Sequence, residues 1–176
     1  MKKYFILLIT LFIVGCVPSG FVYASEADST NIRKDVQQIK NTNNGKRIFI
    51  AVDKYSKRHK VNPALVHAII YVESTYNPNA KSKAGAQGLM QLTPITQKAR
   101  GCSNPYNIEQ NVKYGSLHLA GMLARYNGNE VYALASYNSG GARVDRYIKN
   151  GKPLPKDLQN YVTKVQKYKR VIQQEL

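Results

Sequence analysis

The sequence contains few of the residues that staple folds or bind metals. Its only cysteines are Cys16 and Cys102, and Cys16 lies in an apolar N-terminal segment, so we expect no disulfide within the folded part. No histidine lies close in sequence to another histidine or to a cysteine. Because metal sites need such clustered ligands, we predict no metal site, and nothing in the sequence implies a cofactor.

Acidic residues are also scarce. The 176 residues include 26 lysines and arginines but only 10 aspartates and glutamates, a formal net charge of +16. This excess favours anionic partners in general, whether nucleic acid, an acidic membrane or the anionic polymers of a cell wall. No nucleic-acid-binding motif accompanies the charge, so we expect no specific nucleic-acid partner.

The N-terminal residues 1–24 have the order of an export signal. Lys2 and Lys3 precede an apolar stretch, 4–14, that is too short to span a bilayer as a helix. Two cleavage sites compete. A cut before Cys16 would leave a lipoprotein anchored to a membrane, whereas a cut after Ala24 would release a soluble protein. Both predict export to the cell envelope, most simply to the periplasm.

Helical periodicity begins only after a polar stretch. Residues 25–45 are rich in Asn, Ser, Thr and Lys and are predicted to form a linker. The domain proper is then 46–176. Asn62 and Pro63 predict the start of a helix that ends near Thr75, because Asn77-Pro78 disfavours helix there.

Further helices are expected at 88–100, 107–126, 130–137, 142–149 and 157–174. We find no alternating strand pattern and no internal repeat. The predicted class is therefore all-α, built from short helices.

Glu73 is the first candidate for chemistry. It is the only acidic residue between Lys54 and Ile108, and it falls in the last turn of an apolar helix. Partial burial there would raise the pKa of its carboxyl group and keep it protonated, as a general acid requires. The alternative is an ordinary solvated glutamate at a helix end.

Two further segments carry polar groups suited to a site. Gly88 permits close backbone approach, and the amide of Gln91 can bind sugar hydroxyls, although Leu89 and Met90 equally suit a core-facing helix start. Farther along, the hydroxyl of Tyr137 could orient a carboxyl group. The alternative for that segment is a helix end capped by the glycines that follow.

The ordered combination of these elements resembles the lytic transglycosylases with a soluble-lytic-transglycosylase-type, goose-lysozyme-like catalytic domain. The resemblance covers roughly residues 48–168 and rests on five matches. These are Glu73-Ser74, the Asn-Pro of 77–78 with the small-residue loop Ala-Gly-Ala of 84–86, the Gly-Leu-Met-Gln of 88–91, the Asn-Pro and Asn-Ile of 104–108, and the Ser-Tyr-Asn-Ser-Gly of 136–140. The last departs from the family's Ala-Tyr-Asn-Ala-Gly by two serines, which affects local packing more than chemistry.

The resemblance implies a compact lysozyme-like helical domain that cuts peptidoglycan glycan strands at the β-1,4 bond between N-acetylmuramic acid and N-acetylglucosamine, leaving 1,6-anhydromuramyl ends. Glu73 would be the catalytic acid and base, and Tyr137 would hydrogen-bond around it. The residues implied in substrate binding are Ser74, Gly88, Met90, Gln91, Tyr137 and Asn138.

The resemblance also suggests partners, because small members of the family often open the wall for a secretion, conjugation or pilus machine. Two alternatives stay open. One is a hydrolysing lysozyme of the same fold, and the other is a non-catalytic glycan-binding assembly protein.

Overall fold

The computed structural model describes residues 26–176, which form eight α-helices and no strand. The predicted all-α class is confirmed. The helices are α1 Glu26–Asn41, α2 Asn43–His59, α3 Pro63–Ser74, α4 Pro94–Arg100, α5 Ile108–Arg125, α6 Glu130–Ser139, α7 Gly141–Lys149 and α8 Lys156–Ile172. The export signal and Cys16 lie outside the described residues. None of the helices described here is long and apolar enough to cross a membrane.

The central helix, α3, begins and ends where local signals predict. The Asn62 side chain accepts a hydrogen bond from the backbone N–H of Leu65, and Pro63 occupies the first turn. Every residue from Ala64 to Ile70 is buried. Thr75 ends the helix in a left-handed conformation, with φ of 49°. The apolar helix therefore lies in the core, packed against α2 and α8, and its last turn carries Glu73 to the edge of that core.

The prediction of a polar linker at 25–45 is wrong. Residues 26–41 of this segment form α1, which packs against α2 and α8, and residues 43–45 begin α2. Ile32 and Val36 are buried, four residues apart on one face of α1. Arg33 also forms an ion pair with Glu175 near the end of the chain. The polar composition hid this narrow apolar stripe, which the rest of the fold covers.

Residues 88–91 do not open a helix, contrary to prediction. They form a tight turn in which Gly88 and Gln91 both have positive φ, 75° and 48°. The next helix, α4, starts only at Pro94, where the Thr93 side chain accepts a hydrogen bond from the backbone N–H of Thr96. Gly101 ends it as expected. The turn between α3 and α4 thus presents backbone groups rather than a helical face.

Four elements converge around the end of α3. Helix α6 packs against both α5 and α8, while α8 packs along α3. The C-terminal end of α3, the turn 88–91, the last turn of α6 and the middle of α8 consequently meet in one region, which contains most of the residues selected from the sequence.

Candidate active site

Glu73 is half-buried and accepts a hydrogen bond at Oε1 from the hydroxyl of Tyr161, with the two oxygens 2.6 Å apart. Burial raises the pKa of the carboxyl group, because it disfavours the charged form. The Tyr161 hydroxyl and the positive charge of Lys164 lower this pKa, but burial prevails. The direction agrees with the prediction made from the apolar helix, and it favours the protonated carboxyl group that a general acid needs.

Sequence reasoning missed Tyr161, because it lies 88 residues from Glu73 along the chain. It follows the buried Leu158 by three residues and precedes the buried Val165 by four, so it belongs to the inward face of α8. That periodicity could have marked Tyr161 as inward-facing. Only the packing of α8 on α3 places it beside Glu73.

The expected hydrogen bond between Tyr137 and Glu73 is not formed. The Tyr137 hydroxyl donates instead to the backbone carbonyl of Met90, at 2.8 Å. Tyr137 nevertheless lies within electrostatic reach of Glu73. Burial, with a contribution from the Glu73 charge, raises the pKa of the Tyr137 hydroxyl well above its usual value. Because α6 directs the ring of Tyr137 onto the turn 88–91, its hydroxyl is bonded to that turn and not to the Glu73 carboxyl group.

The turn 88–91 is held from two sides by side chains. The Ser74 hydroxyl, expected to bind substrate, donates to the carbonyls of Leu89 at 2.8 Å and Ile70 at 3.0 Å. The buried Asn111 accepts a hydrogen bond from the Met90 N–H at 2.8 Å, and its amide donates to the carbonyls of residues 87 and 105. Asn111 was not selected from the sequence. Together these bonds fix the turn relative to Glu73.

Gly88 is required by close packing, as its sequence context suggested. A Cβ atom at this position would lie 2.1 Å from the backbone oxygen of Pro105 and 2.2 Å from the amide nitrogen of Asn111. Its φ of 75° also favours glycine. Gly88 therefore supports the turn, and it has no side chain with which to hold a ligand.

The side chain of Met90, expected to bind substrate, lies in the core. Met90 is fully buried, and its sulfur fills the space over Gly115, where a Cβ atom would be only 2.3 Å from Sδ.

The amide nitrogen of Gln91 donates to the carbonyls of Gly88 and Ala80, at 2.9 and 3.2 Å. The Gln91 amide oxygen is thereby left to accept a hydrogen bond from a ligand. Asn138 is exposed at the end of α6.

Three other acidic side chains of the domain, which could supply a second carboxylate, are held in ion pairs. Glu109 pairs with Lys54 and Glu130 with Lys169, each at 2.6 Å, and Asp145 pairs with Arg125. The charge that acts on the pKa of Glu73 is that of a lysine, not of a second carboxylate. Within residues 26–176, no group of three or more His, Cys, Asp or Glu side chains could hold a metal ion.

Comparison with known proteins assigns this arrangement to a family. Residues 50–160 match the model of the Transglycosylase SLT domain. The chain is 36% identical over 99 residues to a membrane-bound lytic murein transglycosylase F of Desulfosudis oleivorans, covering 53% of this chain and 22% of that protein. It is 30% identical over 107 residues to the soluble lytic murein transglycosylase of Salmonella typhimurium, covering 55% of this chain and 17% of that protein. The chain thus spans about a fifth of the length of these relatives.

Solved structures agree on the fold. An inactive mutant of the lytic transglycosylase Slt from Pseudomonas aeruginosa aligns with a TM-score of 0.63 at 27% identity, covering 72% of this chain and 24% of that one. The 70 kDa soluble lytic transglycosylase of Escherichia coli aligns with a TM-score of 0.65 at 22% identity, covering 84% of this chain and 29% of that one.

Proposed function

Because the chain belongs to the Transglycosylase SLT domain family, we propose that it is a lytic transglycosylase that cleaves the glycan strands of peptidoglycan. The observation that carries the proposal is the environment of Glu73. This glutamate is half-buried, its pKa is raised by burial, and a tyrosine hydroxyl holds one of its oxygens. A carboxyl group in that state suits proton donation to a glycosidic oxygen.

In the proposed first step, Glu73 donates a proton to the oxygen of the β-1,4 bond between N-acetylmuramic acid and N-acetylglucosamine. Tyr161 occupies Oε1, so the proton would be carried by Oε2. As the bond from the anomeric carbon to that oxygen breaks, the N-acetyl oxygen of the same muramyl sugar attacks the anomeric carbon. This substrate-assisted route needs no second carboxylate, which fits the ion pairs that hold Glu109, Glu130 and Asp145.

In the second step, the Glu73 carboxylate takes the proton from the 6-hydroxyl of the muramyl sugar. The 6-oxygen then bonds to the anomeric carbon and displaces the N-acetyl oxygen, which closes the 1,6-anhydro ring. Nucleophile and reacting carbon belong to one sugar, so their proximity replaces the activation of a water molecule. Tyr161 stabilises the carboxylate between the two steps, and the Gln91 amide oxygen can accept a hydrogen bond from a sugar hydroxyl.

The test compares Glu73→Gln with the wild type on purified sacculi, with Glu109→Gln as a control for loss of a carboxylate. We expect no soluble muropeptides from Glu73→Gln, and wild-type release from the control, with 1,6-anhydromuramyl ends by mass spectrometry. Release by folded Glu73→Gln would refute the assignment. Products one water heavier would identify a hydrolysing lysozyme, and absence of release by the wild type would favour a glycan-binding protein.

We also propose, on the family resemblance and the N-terminal sequence, that the protein acts in the cell envelope and opens the wall for a secretion, conjugation or pilus machine. The mass of the mature N-terminus tests the export route, because it separates lipidation at Cys16 from cleavage after Ala24. Isolation of the protein with such a machine from envelope extracts tests the partner. Recovery of the uncleaved chain in the cytoplasm would contradict both.

A further inference from the structure

Arg100, the last residue of α4, is a half-buried arginine whose guanidinium has no hydrogen-bond or ion-pair partner among residues 26–176. Removing a charge from water is costly unless a partner compensates it. Even Arg125, which is exposed, pairs with Asp145. The position of Arg100 therefore needs a reason other than an internal ion pair.

The guanidinium of Arg100 lies directly against α5. A Cβ atom built on Gly121 would be 2.7 Å from Nη2 of Arg100, so the absence of a side chain at Gly121 makes room for the charge. Glycine destabilises the interior of a helix relative to alanine. The presence of Gly121 in the C-terminal part of α5 is accounted for by the Arg100 guanidinium that packs on it.

His118 precedes Gly121 by three residues and shares its face of α5. Its half-buried ring packs on Tyr137, with the ring centroids 5.2 Å apart. Its Nδ1 is buried and has no hydrogen-bond partner among residues 26–176, so a ligand would be bound through Nε2. Burial, aided by the charge of Arg100, lowers the pKa of His118 to about 4, so the ring is neutral at physiological pH.

We propose that Arg100 and His118 form a carboxylate-binding subsite beside the candidate active site. The subsite rests on the proposed function, because its ligand would be a carboxylate carried by the muramyl sugar of a glycan strand. A guanidinium donates two parallel hydrogen bonds to a carboxylate, and the neutral imidazole can donate a third from Nε2. Tyr137 links the subsite to the site, since its ring contacts His118 and its hydroxyl holds the turn 88–91.

Peptidoglycan offers this carboxylate from two sources. Strands that carry stem peptides present the carboxylates of the peptide, whereas strands stripped of peptides present the free lactyl carboxylate of the muramyl sugar. A peptide-bearing strand with amidated peptide carboxylates has neither kind of carboxylate, because its lactyl group is already joined to the peptide by an amide bond. Three ligands of equal glycan length therefore separate the sources: peptide-bearing, peptide-bearing and amidated, and peptide-free.

The experiment measures the Kd of these ligands by calorimetry in a Glu73→Gln background, which keeps them uncleaved. Arg100→Gln should weaken binding of at least one carboxylate-bearing ligand about tenfold or more, as expected for a charge-assisted hydrogen bond, and leave the amidated ligand unchanged. Loss confined to the peptide-bearing ligand identifies the stem peptide as the source, and loss confined to the peptide-free ligand identifies the lactyl group.

Two further variants guard against a merely structural effect. Gly121→Ala should displace the guanidinium without unfolding the helix, and should reproduce the selective loss. Arg47→Gln removes an exposed positive charge on α2, in a separate cleft, and should leave all three Kd values unchanged. Equal effects of Arg100→Gln on all three ligands, or no effect, would overturn the subsite alone. Failure of every ligand to bind the parent protein would overturn it together with the proposed function.

Discussion

Replacing Tyr161 by phenylalanine removes one hydroxyl group and keeps the aromatic ring on α8. The lost hydroxyl donates the 2.6 Å hydrogen bond to Oε1 of Glu73. This bond is stronger to the carboxylate than to the neutral acid, so it matters most as the proton leaves. A hydrogen bond to a charged group contributes about 1.5–3 kcal/mol, which corresponds to turnover slower by roughly 10–100-fold.

The same substitution should change the pH profile in a definite direction. Glu73 must be protonated at the start of the reaction, so activity falls as pH rises through its pKa. The Tyr161 hydroxyl lowers that pKa, and its loss should raise it further. The basic limb of kcat/KM should therefore move to higher pH in Tyr161→Phe, while the maximum rate falls.

The assay is the initial rate of anhydromuropeptide release across acidic to basic pH. Tyr168→Phe is a matched control, because Tyr168 lies two turns later on α8 and packs on Tyr71, with ring centroids 4.5 Å apart. We expect the control to keep the wild-type rate and profile. An unchanged rate in Tyr161→Phe, or a basic limb that moves to lower pH, would refute the assigned role of Tyr161.

Four other changes test the site and the fold. Tyr137→Phe should slow turnover by loosening the turn 88–91, and, unlike Tyr161→Phe, it should leave the basic limb in place; a shifted limb would show that it acts on Glu73 directly. Glu73→Gln should raise the Tm at neutral pH but not at low pH. Burial raises the pKa of Glu73 in the folded protein, so the protonated carboxyl group stabilises the fold fully below the unfolded-state pKa, and this stabilisation is lost as pH rises through the folded-state pKa. A Tm difference that is independent of pH would contradict this. Gly88→Ala should lower stability more than Gly128→Ala in chemical unfolding, because both have positive φ but only Gly88 lacks space for a Cβ atom; equal losses would mean that the clash is relieved cheaply. Val36→Ala should reduce the free energy of unfolding by about 1–3 kcal/mol, whereas a linker residue would show no effect.

Short-range signals account for what the sequence predicted well. The bounds of α3 follow from Asn62, Pro63 and the Asn-Pro pair at 77–78, all within a few residues of the ends they determine. The place of Glu73 in the last turn, and its raised pKa, follow from that boundary and from the apolar run before it. The close approach at Gly88 was likewise readable, although the helix expected there was not formed.

The sequence determined by itself the helical class, the ends of α3 and the identity of the lone acid of the site, because each depends on neighbours along the chain. The tertiary structure alone decided that Tyr161 rather than Tyr137 holds Glu73, and that α1 belongs to the core. It also brought Arg100 onto the α5 face that carries His118. These contacts join residues whose spacing in sequence carries no signal, and they arise only when helices pack and their side chains compete for the same partners.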